Sequence, residues 1–272
     1  ALAGGVDAFC IGSELRGLTA IRGAGDGFPA VAALLALARE VRAILGPAVK
    51  ISYAADWSEY AGLSVDGNRY FQLDPLWADP DIDFIGIDNY MPLSDWRDAE
   101  AQADAGYGSG YDLDYLHANI AGGEGFDWYY DSVEGEAVQR RLPISDDKGE
   151  PWIWRVKDLK GWWSNTHHER VDGVRSALPT GWVPGSKPIR FTEYGCAAID
   201  RGTNQPNVFV DPQSSESALP RASRGGRDDL VQMQYYRAMS RFWGDVANNP
   251  PALLYAGSMV DMDRAHAWAW DA

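Results

Sequence analysis

Short apolar runs alternate along this chain with longer segments whose apolar positions recur at helical spacing. Val6–Glu14 opens the pattern. Val6, Ala8, Phe9, Cys10 and Ile11 give the unbroken hydrophobicity of a strand covered on both faces. Strict alternation puts Cys10, Gly12 and Glu14 on one side and Phe9, Ile11 and Ser13 on the other. Phe28–Leu45 then places Val31, Leu34, Leu35, Ala38, Val41, Arg42 and Leu45 on one helical face, and Gly46-Pro47 stops it. Further strands are expected over Val49–Ala54, Ile82–Ile87, Ile189–Thr192 and Ala265–Trp270. Asp228–Val246 reads as a helix with Leu230, Met233, Tyr236, Met239, Phe242 and Trp243 facing inward. The long segment Pro92–Ser186 interrupts the alternation with Gly/Tyr-rich and Trp-rich stretches. A connection of that length is functional or has structure of its own. Helices are expected near Asp112–Ala121 and Asp131–Arg141.

Strands alternating with helices argue for an α/β fold with a parallel sheet. Polar or aromatic residues gather where each strand ends: Glu14, Asp56-Trp57, Asp88-Asn89-Tyr90, Glu193-Tyr194, and Trp268, Trp270 and Asp271. In a (β/α)8 TIM barrel those ends converge on one pocket. Five strands do not close such a barrel, so the simplest account makes them strands four to eight. Three earlier units would then precede Ala1, and the chain would be a piece of a longer polypeptide. An open doubly wound sheet is the alternative, but no glycine fingerprint follows a strand. Residues 1–272 are therefore read as one barrel domain, with 92–186 inserted over the barrel mouth.

Composition narrows the function. The chain of 272 residues is 46% hydrophobic, enough for one large core. A net charge of −15 argues against a nucleic-acid groove, which needs a basic patch. No apolar run reaches the roughly 18 residues of a membrane span. The two cysteines, Cys10 and Cys196, read as free thiols. Twelve Trp and 13 Tyr suit a neutral glycan, whose rings stack on flat aromatic faces, although aromatics are also ordinary core material. His167-His168-Glu169 lacks a third ligand at useful spacing and reads as a polar loop. Asp79, Asp81 and Asp83 lack the glycine and terminal glutamate of a calcium loop. No metal or cofactor is expected.

The chemistry then rests on two glutamates at strand ends. Glycoside hydrolysis needs one protonated and one ionised carboxyl, about 5–5.5 Å apart when configuration is retained. Glu14 and Glu193 are the candidate pair, with Tyr90 placed to hold Glu193. Trp57, Trp96, Trp268 and Trp270 are candidate sugar platforms, each with core packing as the competing explanation. Asp56, Asp88, Asn89 and Asp95 are candidate hydroxyl partners, and Ser13, Tyr194 and His266 are candidate substrate contacts, with a satisfied core histidine as the competing role for His266. For Asp88 the competing role is a cap on the next turn.

This layout resembles the large clan of retaining glycosidases. There the fourth-strand Glu is acid/base, usually after Asn, and the seventh-strand Glu is nucleophile, so the resemblance implies Glu14 as acid/base and Glu193 as nucleophile. Here Ser13 stands in place of that Asn. A closer resemblance spans nearly the whole chain. GGVDAFCIGSEL, ISYAADWSEY, LDPLWADPDIDFIGIDNYMPLSDWR, PWIWRVKDLKGWWSNTHHER, KPIRFTEYGCAAIDRGTNQPNVFVDP and SSESALPRASRGGRDD are similar to the TIM-barrel-like glycoside hydrolase domain of gene transfer agents and tailed phages. The resemblance implies a place in a tail-tip (baseplate hub) protein of a virion-like particle, made in the bacterial cytoplasm and released. The implied partners are a host-envelope carbohydrate polymer and other tail proteins. It implies either a glycan hydrolase or a non-catalytic glycan-binding or structural module.

Overall fold

The computed structural model describes residues 5–23 and 27–268. Four of the expected strands are present: β1 (Ala8–Ser13), β2 (Lys50–Asp56), β3 (Ile85–Asn89) and β4 (Ile189–Tyr194). They lie in one sheet in the order β1-β2-β3-β4, and β1/β2 and β2/β3 pair in parallel. The parallel α/β arrangement is as expected. Among the described residues the sheet is an open row of four strands. Of the expected fifth strand, Ala265–Trp270, the described residues show one parallel bridge, Tyr194 with Ala267; a second bridge, Ile189 with Val260, lies before it. Trp270 and Asp271 lie outside the described residues.

The chain divides into two compact units. The first comprises Ala1–Asp88, Lys160–Thr192 and Pro250–Ala265. The second comprises Asn89–Leu159, Glu193–Asn249 and His266–Ala272. The segment 92–186, expected as a single insertion, is thus shared between the two units.

In the first unit, β2 forms the centre. Ile51, Tyr53 and Ala55 are fully buried, as are Ile85 and Ile87 of β3. Helix α1 (Pro29–Leu45) starts on a proline, whose fixed φ suits the first helical turn. It ends at Gly46, whose φ of +73° favours glycine. Val31, Leu34 and Ala38 are buried, the stripe that periodicity placed inward. Arg42 shares that face because its guanidinium has carbonyls to bind: Gly46 O at 3.0 Å, Val49 O at 2.7 Å and Asp81 O at 2.9 Å. Asp83 joins it in an ion pair, and Asp81 and Asp79 face Arg42 and Arg39.

Two expectations for this unit change. β1 is not covered on both faces: Phe9 is 39% exposed, and among the described residues β1 pairs only with β2. The exposure of a strand's face depends on what packs on it, not on its own composition. His167 lies in a loop, as expected, but that loop is packed inward. His167 is fully buried, stacked on Phe71 (ring centroids 4.5 Å apart) and against Trp162 and Trp182. Its ring nitrogens lie 2.8 Å from Asp74 Oδ2, on the short helix α2 (Asp74–Ala78), and 2.8 Å from Trp162 O.

In the second unit, helices α3 (Leu113–Ala118) and α4 (Val133–Ala137) occupy the two expected places. Each is capped at its start. Asp112 accepts from Tyr115 N, and Ser132 from Gly135 N. Helix α5 (Asp229–Trp243) buries Val231, Tyr235, Ala238, Met239, Phe242 and Trp243. Leu230 and Met233, expected inside, are 45% and 49% exposed. The helix carries two apolar stripes, and packing selects the one through 231, 235, 238 and 242.

Candidate functional site

The strand-end residues fall in both units, and each set is described by itself. In the first unit, β1 does not keep strict alternation to its end. Cys10 pairs with Ser52 and Ser13 with Ala54, three steps against two. This bulge re-aims the residues after it, so the faces assigned beyond Cys10 by simple alternation do not hold. Glu14 sits at φ +51°, a left-handed conformation that costs a non-glycine residue on the order of 1 kcal/mol. Two hydrogen bonds hold it there. Glu14 N donates to Ala54 O at 2.9 Å, and Leu15 N donates to Tyr53 Oη at 2.6 Å. Gly12 backs onto the same tyrosine, since a Cβ there would lie 3.5 Å from its ring.

Beneath Tyr53 lies a group that sequence reading missed. Glu59 is 1% exposed. It accepts from Tyr53 Oη at 3.0 Å and from Thr19 Oγ1. Burial pushes its carboxyl above the ordinary range, against the pull of those hydrogen bonds. Nothing in the local sequence WSEY marks it, because its partners come from beyond the end of β1 and the middle of β2. The folded state holds the Glu59 proton more tightly than the unfolded chain does. Glu59 therefore costs stability as pH rises above its unfolded pKa of about 4.3. Glu59→Gln should be progressively more stable than wild type from about pH 4.3 upward. Denaturant unfolding at a mildly acidic and a neutral pH checks this. An equal difference at both pH values would contradict it.

Asp88 is 1% exposed and joins two strand ends. Ser13 Oγ, at the end of β1, donates to its Oδ2 at 3.0 Å. Thr192 Oγ1, on β4, donates to its Oδ1 at 2.6 Å. Ser13 and Thr192 immediately precede Glu14 and Glu193. Ser13 and Asp88, expected to meet substrate hydroxyls, bind each other instead and fix the backbone beside both glutamates. Asp56 likewise turns inward on its own loop. It accepts from Ser58 N at 2.8 Å and faces Arg16 at 3.6 Å. Trp57 is half-buried in the turn after β2.

In the second unit, β4 runs two residues beyond Thr192. Tyr194 N donates to His266 O, and Trp268 N to Tyr194 O, both at 2.9 Å. Glu193 therefore sits inside a strand rather than at its end, half-buried. Tyr90 Oη donates to its Oε2 at 2.5 Å, the contact expected of a tyrosine holding a nucleophile. Tyr90 is 5% exposed and meets Phe209 edge to face, ring centroids 5.7 Å apart. Lys157, 2% exposed, donates to Pro92 O at 2.5 Å and so anchors the segment after Tyr90. Burial pushes its ammonium pKa down to about 7.

The remaining candidates separate. Asn89 is buried, its side chain taken by Met91 N and its carbonyl by Tyr235 Oη. Asp95, expected at the substrate, is 1% exposed inside an ion network. It accepts from Tyr130 at 2.5 Å, Gln139 at 2.8 Å, Arg97 at 2.9 Å and Arg141 at 3.0 Å, with Arg221 at 3.6 Å. Its oxygens are occupied, so it is a structural hub. Trp96 is half-buried, edge-on to Tyr115, and borders a pocket of about 260 Å³ with Tyr111, Arg201 and Thr203. Gly110 lies so close that a Cβ would come within 2.9 Å of the indole. Tyr194 packs edge to face on Tyr236. His266 is exposed, and Trp268 is 49% exposed. Among the described residues no group of three or more His, Cys, Asp or Glu side chains is gathered as a metal ion would need, and no helix is long and apolar enough to cross a membrane.

The whole chain, residues 1–272, matches the family model described as the GTA TIM-barrel-like domain. No curated protein matches the chain.

Proposed function

The chain belongs to the family of gene transfer agent TIM-barrel-like domains, and on that footing we propose that it is a retaining glycoside hydrolase. Glu193 is the nucleophile and Glu14 the acid/base. The observation that carries the reading is the Tyr90–Glu193 hydrogen bond. A phenol donating to a strand-borne carboxylate fixes the oxygen that would attack. Two further features support it. The residues preceding both glutamates are tied to Asp88, and Glu14 is held in a costly backbone conformation.

These roles set the mechanism. Glu193 attacks the anomeric carbon while Glu14 gives its proton to the leaving oxygen. A glycosyl ester forms on Glu193. Glu14, now a base, takes a proton from water, which attacks the same carbon and releases Glu193. The reading requires the two carboxyls to work about 5–5.5 Å apart. The substrate is a glycan of the bacterial envelope. The setting is the tail tip of a gene-transfer-agent or phage-like particle, where cutting such a polymer would open a path to the host.

The test is release of new reducing ends from purified bacterial envelope glycans by the wild-type chain. Turnover is expected with at least one polymer. Binding without any turnover would instead make the domain a glycan-binding or structural module.

A further inference from the structure

The second unit carries a groove of about 640 Å³. Its walls include Trp268, Phe209, Val210 and Pro212, and its polar groups include Asp211 and Arg227. Two links tie it to the candidate nucleophile. The Trp268 backbone pairs with Tyr194, the next residue after Glu193. The Phe209 ring meets Tyr90, which donates to Glu193. Gly195 lets the Trp268 strand come close, since a Cβ there would lie 1.7 Å from Trp268 O.

The volume falls in the range of about 300–1,000 Å³ usual for ligand clefts. An exposed indole and a phenyl ring offer flat apolar faces, the surface on which sugar rings stack. The charges decide which sugars. Arg227 already holds Asp229 in a two-pronged pair, Nε at 2.8 Å and Nη2 at 3.2 Å. Asp211 adds a negative charge, and the chain as a whole carries −15. A carboxylated sugar would therefore meet a carboxylate and a cation that is already engaged, in a repulsive overall field. Hydroxyls and acetamido groups meet no such penalty, and Asp211 can accept from them.

We infer that this groove is a subsite for an uncharged glycan, stacked on Trp268 and Phe209, and that it discriminates against polyuronates. The inference rests on the glycan-hydrolase reading for its ligand class, but it concerns binding and not turnover.

The test uses the full chain carrying Glu193→Gln, so that no probe is consumed, with binding measured by calorimetry. The probes are cellohexaose, chitohexaose and an oligogalacturonate hexamer. At least one of the two uncharged hexamers should bind. Trp268→Ala and Phe209→Ala should each weaken that binding about tenfold, the worth of one aromatic contact. Oligogalacturonate should bind at least tenfold more weakly, and Asp229→Ala, which releases Arg227, should narrow that gap. The inference is overturned if oligogalacturonate binds as well as the uncharged hexamers, if both aromatic variants bind normally, or if neither uncharged hexamer binds. Wild-type protein that binds as described but cleaves nothing would leave the subsite standing and remove the hydrolase reading alone.

Discussion

Glu193→Gln should abolish glycan hydrolysis while leaving fold and glycan binding in place. The amide keeps the shape of the carboxylate and can still accept from Tyr90 Oη. It cannot form a glycosyl ester, nor stabilise the positive charge that develops on the sugar ring. Loss of a covalent nucleophile should lower the rate by about three powers of ten or more, on the order of 4 kcal/mol of barrier. Tyr90→Phe should cost less, because it removes only the hydrogen bond that orients the nucleophile. Glu14→Gln should hurt most with poor leaving groups, whose departure depends on its proton. Reducing-end assays on a cleavable polymer, set beside an aryl glycoside with a good leaving group, separate these roles. Equal loss for Glu14→Gln on both substrates would contradict the acid assignment.

The largest stability effect is expected at Asp95. The residue is 1% exposed and central to the cluster of Arg97, Arg141 and Arg221. Burial alone would raise its carboxyl pKa, but Tyr130, Arg221 and Arg141 hold it below the ordinary range. Asp95→Ala leaves buried guanidinium groups undercompensated, and breaking a buried pair in this way costs about 3–5 kcal/mol. A group with a depressed folded pKa stabilises above its unfolded pKa and loses that contribution as pH falls through the folded value. The gap between wild type and Asp95→Ala should therefore be full at neutral pH and shrink below about pH 4. Denaturant unfolding across that range checks both statements. A gap below roughly 1 kcal/mol at pH 7 would show that the network contributes little.

Asp95 also illustrates what the sequence could and could not convey. The apolar runs marked the places of β1 to β4, and their parallel class, because buried strands must be hydrophobic whatever they pack against. Helices were expected at the places of α3 and α4, and in the structure Asp112 and Ser132 cap them. Tyr90 beside Glu193 was legible as well, since Tyr90 follows β3 and Glu193 lies near the end of β4, its neighbour in the sheet. Three things were not. Strand coverage depends on neighbours, so the exposure of Phe9 at the sheet edge could not be read from its own run. The bulge before Ser13 is a matter of register with β2, and it overrides alternation. Polar residues at strand ends look alike in sequence, whether they point at a ligand or at each other. Asp88 and Asp95 had the pattern of substrate contacts, yet both are closed off by partners distant in sequence. Glu59 is the reverse case, a buried acid with no local mark.

The central claim is that Glu193 becomes covalently bonded to the sugar. A panel of activated 2-deoxy-2-fluoro glycosides tests it directly, because the fluorine slows breakdown of a glycosyl ester and lets it accumulate. After incubation, digestion and mass spectrometry, the peptide containing Glu193 is predicted to gain the mass of one fluorosugar. Glu193→Gln should show no gain. An adduct on a different carboxylate, or none from any sugar that the wild type cleaves, would contradict it.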